Sequence, residues 1–224
     1  MKTIAIIGAG PGLGLSIAKR FGAEGFRVAL LSRNAAKLDT LVQELKSLNI
    51  EARAYPADVS DLDALRSSLQ KMKQDFGSID VLEFSPYAGF ETFVHALQVR
   101  PEDAEAQLRA YVLPAILAVN ELLPDMLTRG NGAFLFTTGF SAMAPIPMIG
   151  NAGIAMSGLR NYITNLHNEL KEKGIYIGHL SIGTLIAPGT EGDPDIIAET
   201  WYSMYAEQNI FEATFPAVIS IPSN

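Results

Sequence analysis

Apolar residues follow two alternating rhythms along this chain. Residues 3–7, Thr-Ile-Ala-Ile-Ile, form an unbroken, largely β-branched run, as expected of a parallel strand buried on both faces. Residues 12–24 switch to helical spacing, with Leu13, Ile17 and Phe21 on one face. The pair then repeats. Residues 27–31 predict a second strand, and Asn34 suits the N-cap of a helix carrying Leu38, Leu41, Val42 and Leu45. Residues 52–56 predict a short third strand. Ser60-Asp61-Leu62-Asp63 predicts the next helix start as a capping box. Residues 80–85 read as the fourth strand. Residues 101–128 predict one long helix, opened by Pro101 in its first turn and bent at Pro114. Residues 133–138 are the fifth strand. Residues 151–173 form another long helix, with Ile154, Leu159, Tyr162, Ile163, Leu166 and Leu170 at helical spacing and Gly174 at its end. Residues 175–182 predict a sixth strand. Asp193-Pro194 starts a last helix through Tyr205, and residues 211–221 predict a final strand.

Strands alternating with helices over short connections imply the α/β class. The expected architecture is one doubly wound parallel sheet with helices on both faces, built from residues 1–224 as a single domain. Ligands of such sheets sit beyond the strand C-termini, where the strand order reverses.

Composition narrows the chemistry. With 48% hydrophobic and 18% charged residues in 224, the chain can bury a core and is not of the disordered class. The absence of cysteine removes disulfides, thiolate nucleophiles, cysteine-ligated zinc and iron–sulfur clusters. His95, His167 and His179 are far apart in sequence, so no metal site is expected. His167 reads as a packing or surface residue and His179, inside a strand, as structural. A net charge of −7 opposes a phosphate backbone, so no nucleic-acid partner is expected. The apolar start meets Gly8 too soon for a signal peptide. Pro145, Pro147 and several glycines break the long uncharged stretch 131–158. No membrane segment is expected, and a cytoplasmic location is. The cluster Trp201, Tyr202, Met204 and Tyr205 fits core or a subunit contact.

Residues 7–14, Ile-Gly-Ala-Gly-Pro-Gly-Leu-Gly, join the first strand to the first helix. Glycines there permit a tight turn and close backbone approach, and the helix start offers free N–H groups to a pyrophosphate. Gly8, Gly10, Gly12, Leu13 and Gly14 are therefore candidate phosphate contacts. The second strand ends Leu30-Leu31-Ser32-Arg33-Asn34. A carboxylate there would hold a ribose 2′-hydroxyl and repel a 2′-phosphate, whereas a hydroxyl and a guanidinium suit the phosphate. Ser32, Arg33 and Asn34 thus favour NADP(H) over NAD(H).

The spacing Gly8-x-x-x-Gly12-x-Gly14 resembles that of the short-chain dehydrogenase/reductase family. So do Asp58-Val59, Leu123-Pro124-Asp125-Met126, and Glu169-Leu170 followed by Gly174-Ile175, in that order along nearly the whole chain. The resemblance implies a Rossmann-type domain and an oxidoreductase acting on a carbonyl/alcohol pair. It implies a nicotinamide cofactor, with Asp58 and Val59 at the adenine. By position it adds Ser85, Tyr87, Thr137 and Gly183 to the cofactor contacts. It also implies a homodimer or homotetramer paired through the two long helices, a small-molecule substrate, and a lid over the substrate pocket as an alternative role for the Trp201–Tyr205 cluster.

The family's proton chemistry is not where the resemblance would put it. Counting back from Glu169, its lysine, tyrosine and serine positions fall on Met156, Ala152 and Gly139, and no Tyr-x-x-x-Lys occurs in the sequence. The usual Asn-Asn-Ala-Gly appears as Phe84-Ser85-Pro86-Tyr87, the fourth-helix Asn as Tyr111, and Pro-Gly as Ile182-Gly183. Residues 183–199 are similar to a bacterial branch lacking the tyrosine but keeping the lysine, from which Met156 departs. Thr137, Thr138, Ser141, Tyr87 and Tyr111 stand as substitute candidates; a tyrosine acid would need a nearby cation to lower its pKa. Catalytic residues are thus unassigned. Three readings stay open: an oxidoreductase without the standard Tyr/Lys/Ser, a non-catalytic NADP(H)-binding or regulatory scaffold, and a closed site that binds no cofactor.

Overall fold

Thr3–Ile7 forms strand β1, and all five of its residues are buried. Its side chains alternate between two cores, Ile4 and Ile6 facing one and Ala5 and Ile7 the other. This two-sided burial is why the run is apolar throughout. The computed structural model describes residues 1–217. In chain order the main elements are β1, α1 (Leu13–Ala23), β2 (Arg27–Ser32), α2 (Ala35–Ser47), β3 (Ala52–Pro56), α3 (Leu62–Phe76), β4 (Val81–Phe84), α4 (Pro101–Gln107), α5 (Leu113–Arg129), β5 (Gly132–Gly139), α6 (Gly150–Leu170), β6 (Ile175–Ile182), α7 (Pro194–Glu207) and β7 (Glu212–Phe215).

The seven strands make one sheet, in the order β3-β2-β1-β4-β5-β6-β7. Every pairing is parallel. Helices α1, α2 and α7 cover one face and α3, α5 and α6 the other. This is the expected doubly wound α/β architecture. Its order reverses between β1 and β4, which places a crevice at their C-terminal ends.

The core settles the aromatic cluster of α7. Trp201 has no exposed surface, and Met204 and Tyr205 are buried. Phe21 of α1 packs against Tyr202 and Tyr205 with ring centroids 5.2 and 5.3 Å apart. These residues therefore bind α7 to α1 rather than forming a lid. His167 stacks on Phe211 at 4.2 Å, a packing role.

Several boundaries differ from the sequence expectation. The helix expected to be capped at Ser60 is capped by Asp61, whose carboxylate accepts from the N–H groups of Asp63 and Ala64. Ser60 instead donates to Asp58. The long helix expected over 101–128 is divided by a π turn at Leu108–Val112, where the Leu113 N–H reaches the Leu108 carbonyl. Pro114 explains the break: it has no N–H to donate, and its ring would strike the carbonyl four residues back, so the preceding turn widens. The stretch 101–129 is long and apolar enough to cross a membrane by length and composition. Here the apolar face of α5 packs on the sheet through Ala115, Ala118, Val119 and Leu122. Of the final strand expected over 211–221, the described residues show Glu212–Phe215; residues 218–221 lie outside the described residues.

Candidate functional site

The C-terminal ends of β1, β4, β5 and β6 open into a cavity of about 970 Å³. Its floor begins with the glycine loop. Gly8 leaves β1 at φ +101°, and a Cβ there would lie 2.5 Å from the Ser85 carbonyl oxygen at the exit of β4. Only glycine lets these two chain segments cross. Gly10 and Gly12 have nothing within 4 Å of an added Cβ, so their bare Cα atoms border open space. Helix α1 starts after Gly12 with no side-chain cap. The Leu15 N–H donates to the Gly10 carbonyl at 3.0 Å, and those of Leu13 and Gly14 stand at the positive end of the helix dipole. Loop and helix start both border the cavity, which is open rather than closed.

The candidate cofactor contacts divide into two groups. Gly8, Gly10, Gly12, Leu13, Gly14, Ser85, Tyr87, Thr137 and Gly183 all line this cavity. Ser32, Arg33, Asn34, Asp58 and Val59 do not. They lie at and just after the ends of β2 and β3, where the Ala57 N–H donates to the Ser32 carbonyl at 3.1 Å. Arg33 is exposed. The Asn34 side-chain oxygen is committed to capping α2, accepting from the Lys37 N–H at 3.0 Å. Burial opposes ionisation of Asp58, but the backbone N–H and hydroxyl of Ser60, with the Arg33 charge, hold its carboxyl below the ordinary value.

Above the floor the walls are apolar. Ala152 and Met156, one turn apart on α6, both line the cavity, as does Gly139 at the end of β5. None of the three can donate a proton. Tyr87, Phe90 and Phe93 pack edge to face, with centroids 5.4 Å apart for Tyr87–Phe90 and 5.9 Å for Phe90–Phe93. Tyr87 and Phe90 are more than half exposed, as is Leu185 on the same cavity. Tyr111 is buried and its hydroxyl accepts from the Ala88 N–H at 3.0 Å. Burial pushes its phenol up. Burial, then Tyr111 and Glu91, push that of Tyr87 up as well. Neither tyrosine has the lowered pKa a relocated acid would need.

Two polar arrangements were not anticipated from the sequence. Glu83, in the middle of β4, has no exposed surface. Its carboxyl accepts from the Ser85 hydroxyl at 2.9 Å and the Thr137 hydroxyl at 2.9 Å. Thr137 in turn accepts from the Trp201 indole N–H at 3.0 Å. Burial pushes Glu83 up to about 8, against the two hydroxyl bonds that favour ionisation. On the opposite face of the sheet, Thr138 Oγ1 lies 2.8 Å from His179 Nε2. His179 Nδ1 lies 2.9 Å from Glu212, which Arg160 holds through two hydrogen bonds of 2.7 and 2.6 Å. A lone acid inside an apolar strand was the only available signal for the first arrangement. The second depends on strand register.

The chain matches the short chain dehydrogenase family over residues 2–192. It is 27% identical to an oxidoreductase of Sarocladium schorii, over 93% of this chain and 80% of that protein. It is 23% identical to a 3-oxoacyl-(acyl-carrier-protein) reductase of Staphylococcus aureus, over 88% and 80%. Among solved structures it is similar to an alcohol dehydrogenase of Thermococcus sibiricus complexed with 5-hydroxy-NADP, with TM-score 0.87, 22% identity and full coverage of both chains. The L-sorbose reductase of Gluconobacter frateurii, complexed with NADPH and L-sorbose, gives TM-score 0.86 and 19% identity over 96% and 94%. An NAD⁺-bound xylitol dehydrogenase gives TM-score 0.75 and 22% identity over 93% and 77%. With the glycine loop, the strand order and a family match over most of its length, this chain belongs to the short-chain dehydrogenase family.

Proposed function

We propose that this protein is an NADP(H)-dependent oxidoreductase interconverting an apolar carbonyl compound and its alcohol. The observation that carries the reading is the continuity of the bare glycine loop with a large apolar cavity. Gly8, Gly10, Gly12, Leu13 and Gly14 would hold the pyrophosphate. Ser32, Arg33 and Asn34 would hold the 2′-phosphate, and Asp58 and Val59 the adenine. Ser85, Tyr87, Thr137 and Gly183 would contact the nicotinamide half. The exposed Arg33, with no carboxylate at the end of β2, supports NADP(H) over NAD(H). The NADP-type ligands of two of the structural neighbours agree with this. When bound, the cofactor supplies or accepts a hydride. Apolar walls from Leu13, Met156 and Ile182 exclude water from the reacting pair. Ala152, Met156 and Gly139 stand where the family's proton machinery is expected, so positioning and desolvation carry much of the rate. Assembly as a homodimer or homotetramer through α5 and α6 belongs to the same proposal.

Calorimetric titration with NADPH, and in parallel with NADH, tests this reading. Stoichiometric NADPH binding with weaker NADH binding is expected, and failure to bind either would overturn it. Binding without turnover on any carbonyl compound would favour the non-catalytic scaffold. Replacing Arg33 with Asp should weaken NADPH about 10–100-fold and strengthen NADH, since a charge-assisted phosphate contact is worth roughly 1.5–3 kcal/mol. An unchanged NADPH/NADH ratio would remove Arg33 from the site. The paired substitution Ala152→Tyr with Met156→Lys places both groups on one helix face inside the cavity. It should raise ketone reduction about 100-fold, the scale of general acid catalysis. No gain in steady-state kcat would show that the cavity no longer holds a carbonyl at those positions.

A further inference from the structure

Beneath the cavity wall a chain of polar groups runs from β5 to the outside of the molecule. Thr138, which lines the cavity, is 3% exposed. Its hydroxyl lies 2.8 Å from His179 Nε2 and 3.4 Å from the Ser181 hydroxyl. His179 has no exposed surface, and its Nδ1 lies 2.9 Å from Glu212. Parallel pairing puts His179 of β6 directly beside Glu212 of β7. Arg160 of α6 closes the chain with its bidentate grip on Glu212 and is 38% exposed. Resting on the NADP(H)-dependent reading above, the geometry points to Thr138 as the group that gives the substrate oxygen its proton, with His179 and Glu212 as the positioning residues that recharge it.

The arrangement fixes the proton positions. Arg160 holds Glu212 ionised, its carboxyl lowered to about 2 despite burial. A carboxylate only accepts, so the facing Nδ1 of His179 carries a hydrogen. In neutral His179 the Nε2 atom is then an acceptor, and the Thr138 hydroxyl donates to it. In protonated His179 both ring nitrogens donate. Nε2–H then points at Thr138 Oγ1, and the threonine hydrogen turns away toward Ser181 or the cavity. In the reductive direction the carbonyl carbon would take up the hydride that a bound NADPH supplies. The Thr138 O–H bond breaks as its proton passes to the carbonyl oxygen, and the alcohol forms. His179 Nε2–H replaces that proton on Thr138 and leaves neutral His179. After the alcohol leaves, solvent in the cavity gives a proton to Thr138 Oγ1 as the threonine hydrogen passes back to His179 Nε2, because Nδ1 keeps its own hydrogen on Glu212 throughout. In the oxidative direction each transfer reverses, with neutral His179 as the ultimate base. A nucleophile-like hydroxyl, an imidazole and an orienting carboxylate within hydrogen-bond reach are the usual geometry for moving one proton.

The charged groups facing His179 are Glu212 of β7 and Arg160 of α6; Thr138 of β5 and Ser181 of β6 supply the neutral polar ones. Burial lowers the imidazole, and Glu212 counteracts it in part. Ketone reduction therefore should fall as pH rises, with its limb below the ordinary histidine value.

The test uses the intact protein, NADPH and an activated aromatic diketone. Thr138→Val should lower kcat about 100-fold, and Thr138→Ser should recover it to within about fivefold, because the hydroxyl is the acid. NADPH affinity, read by nucleotide fluorescence, should stay within about twofold in both variants, because binding is carried by the phosphate cradle. Glu212→Gln removes the charge that raises His179, so the pH limb should move to lower pH; a merely structural Glu212 would leave the limb in place. Should Glu212→Gln not fold, the solvent isotope effect on kcat, present in the wild type and changed in Thr138→Ser, carries the same test. Full turnover in Thr138→Val with an unmoved pH profile would overturn this inference alone. A wild-type protein that binds NADPH but reduces no diketone would overturn it together with the reductase reading.

Discussion

Replacing Gly8 with alanine is expected to cost about 3–5 kcal/mol of stability, combining overpacking with left-handed backbone strain. At φ +101° an L-residue is strained whatever space surrounds it, and the added Cβ would stand 2.5–2.6 Å from three backbone atoms of Ser85 and Pro86. Those atoms cannot retreat. The Ser85 N–H is bonded to the Ile7 carbonyl at 2.9 Å, and the N–H groups of Gly8 and Ala9 both reach the Leu31 carbonyl, at 2.9 and 3.0 Å. Any shift therefore breaks the junction of β1, β2 and β4 at once. Against a typical domain stability of about 5–15 kcal/mol, such a loss leaves the fold marginal. Denaturant titration measures it directly, and a loss under about 1 kcal/mol would show that the junction can open more easily than its bonds suggest. Gly12→Ala is the informative contrast. Its Cβ meets nothing within 4 Å, so stability should hold while NADPH binding alone weakens. The pair separates what the loop does for the sheet from what it does for the nucleotide.

How much of this could be read without coordinates follows from how far apart the cooperating residues lie. Strand β1 was legible because a strand buried on both faces must be apolar at every position. Helix α1 was legible because Leu13, Ile17 and Phe21 recur at its own period. The glycine loop was legible because its constraint is local: the turn, the bare Cα atoms and the uncapped helix start fall within seven residues. Its contact with Ser85 was not, since that depends on β1 lying beside β4. Strand register hid the rest. Glu83 finds Thr137 only because β4 and β5 are neighbours. His179 finds Glu212 only because β6 and β7 align those two residues. Pro114 predicts a bend at the proline itself, whereas the missing N–H acts on the turn before it. Trp201 could not be assigned to lid, core or contact from spacing alone. Its indole N–H on Thr137, under the cavity floor, places it in the core.

Glu83→Gln should make the protein more stable than the wild type at pH 8 and remove a pH dependence that the wild type shows. The folded carboxyl is pushed up to about 8 by burial, from an ordinary value of 4.5. Below 4.5 both folded and unfolded chains carry the proton, and the stability is fully present. Between 4.5 and 8 the unfolded chain releases its proton while the folded chain keeps it, so stability falls with rising pH by about 1.36 kcal/mol per unit. The complete loss is on the order of 5 kcal/mol as an upper bound, reached once pH passes the folded value. Other groups act in different windows. Glu212, lowered to about 2 first by Arg160, adds stability that is lost only as pH falls below its ordinary 4.5. His179, lowered by burial from 6.5, favours folding as pH rises and is finished by that value. The clean interval is therefore pH 6.5 to 8, over which the wild type should lose roughly 2 kcal/mol more than Glu83→Gln. The amide suits the site. Its carbonyl can keep the bond from the Thr137 hydroxyl, and its NH₂ faces the Ser85 hydroxyl, which now donates to Glu83 and need only rotate to accept instead. Denaturant midpoints of both proteins across that interval measure the difference. Parallel slopes would mean that Glu83 is ionised in the folded protein, with its two hydroxyl bonds outweighing the cost of burial.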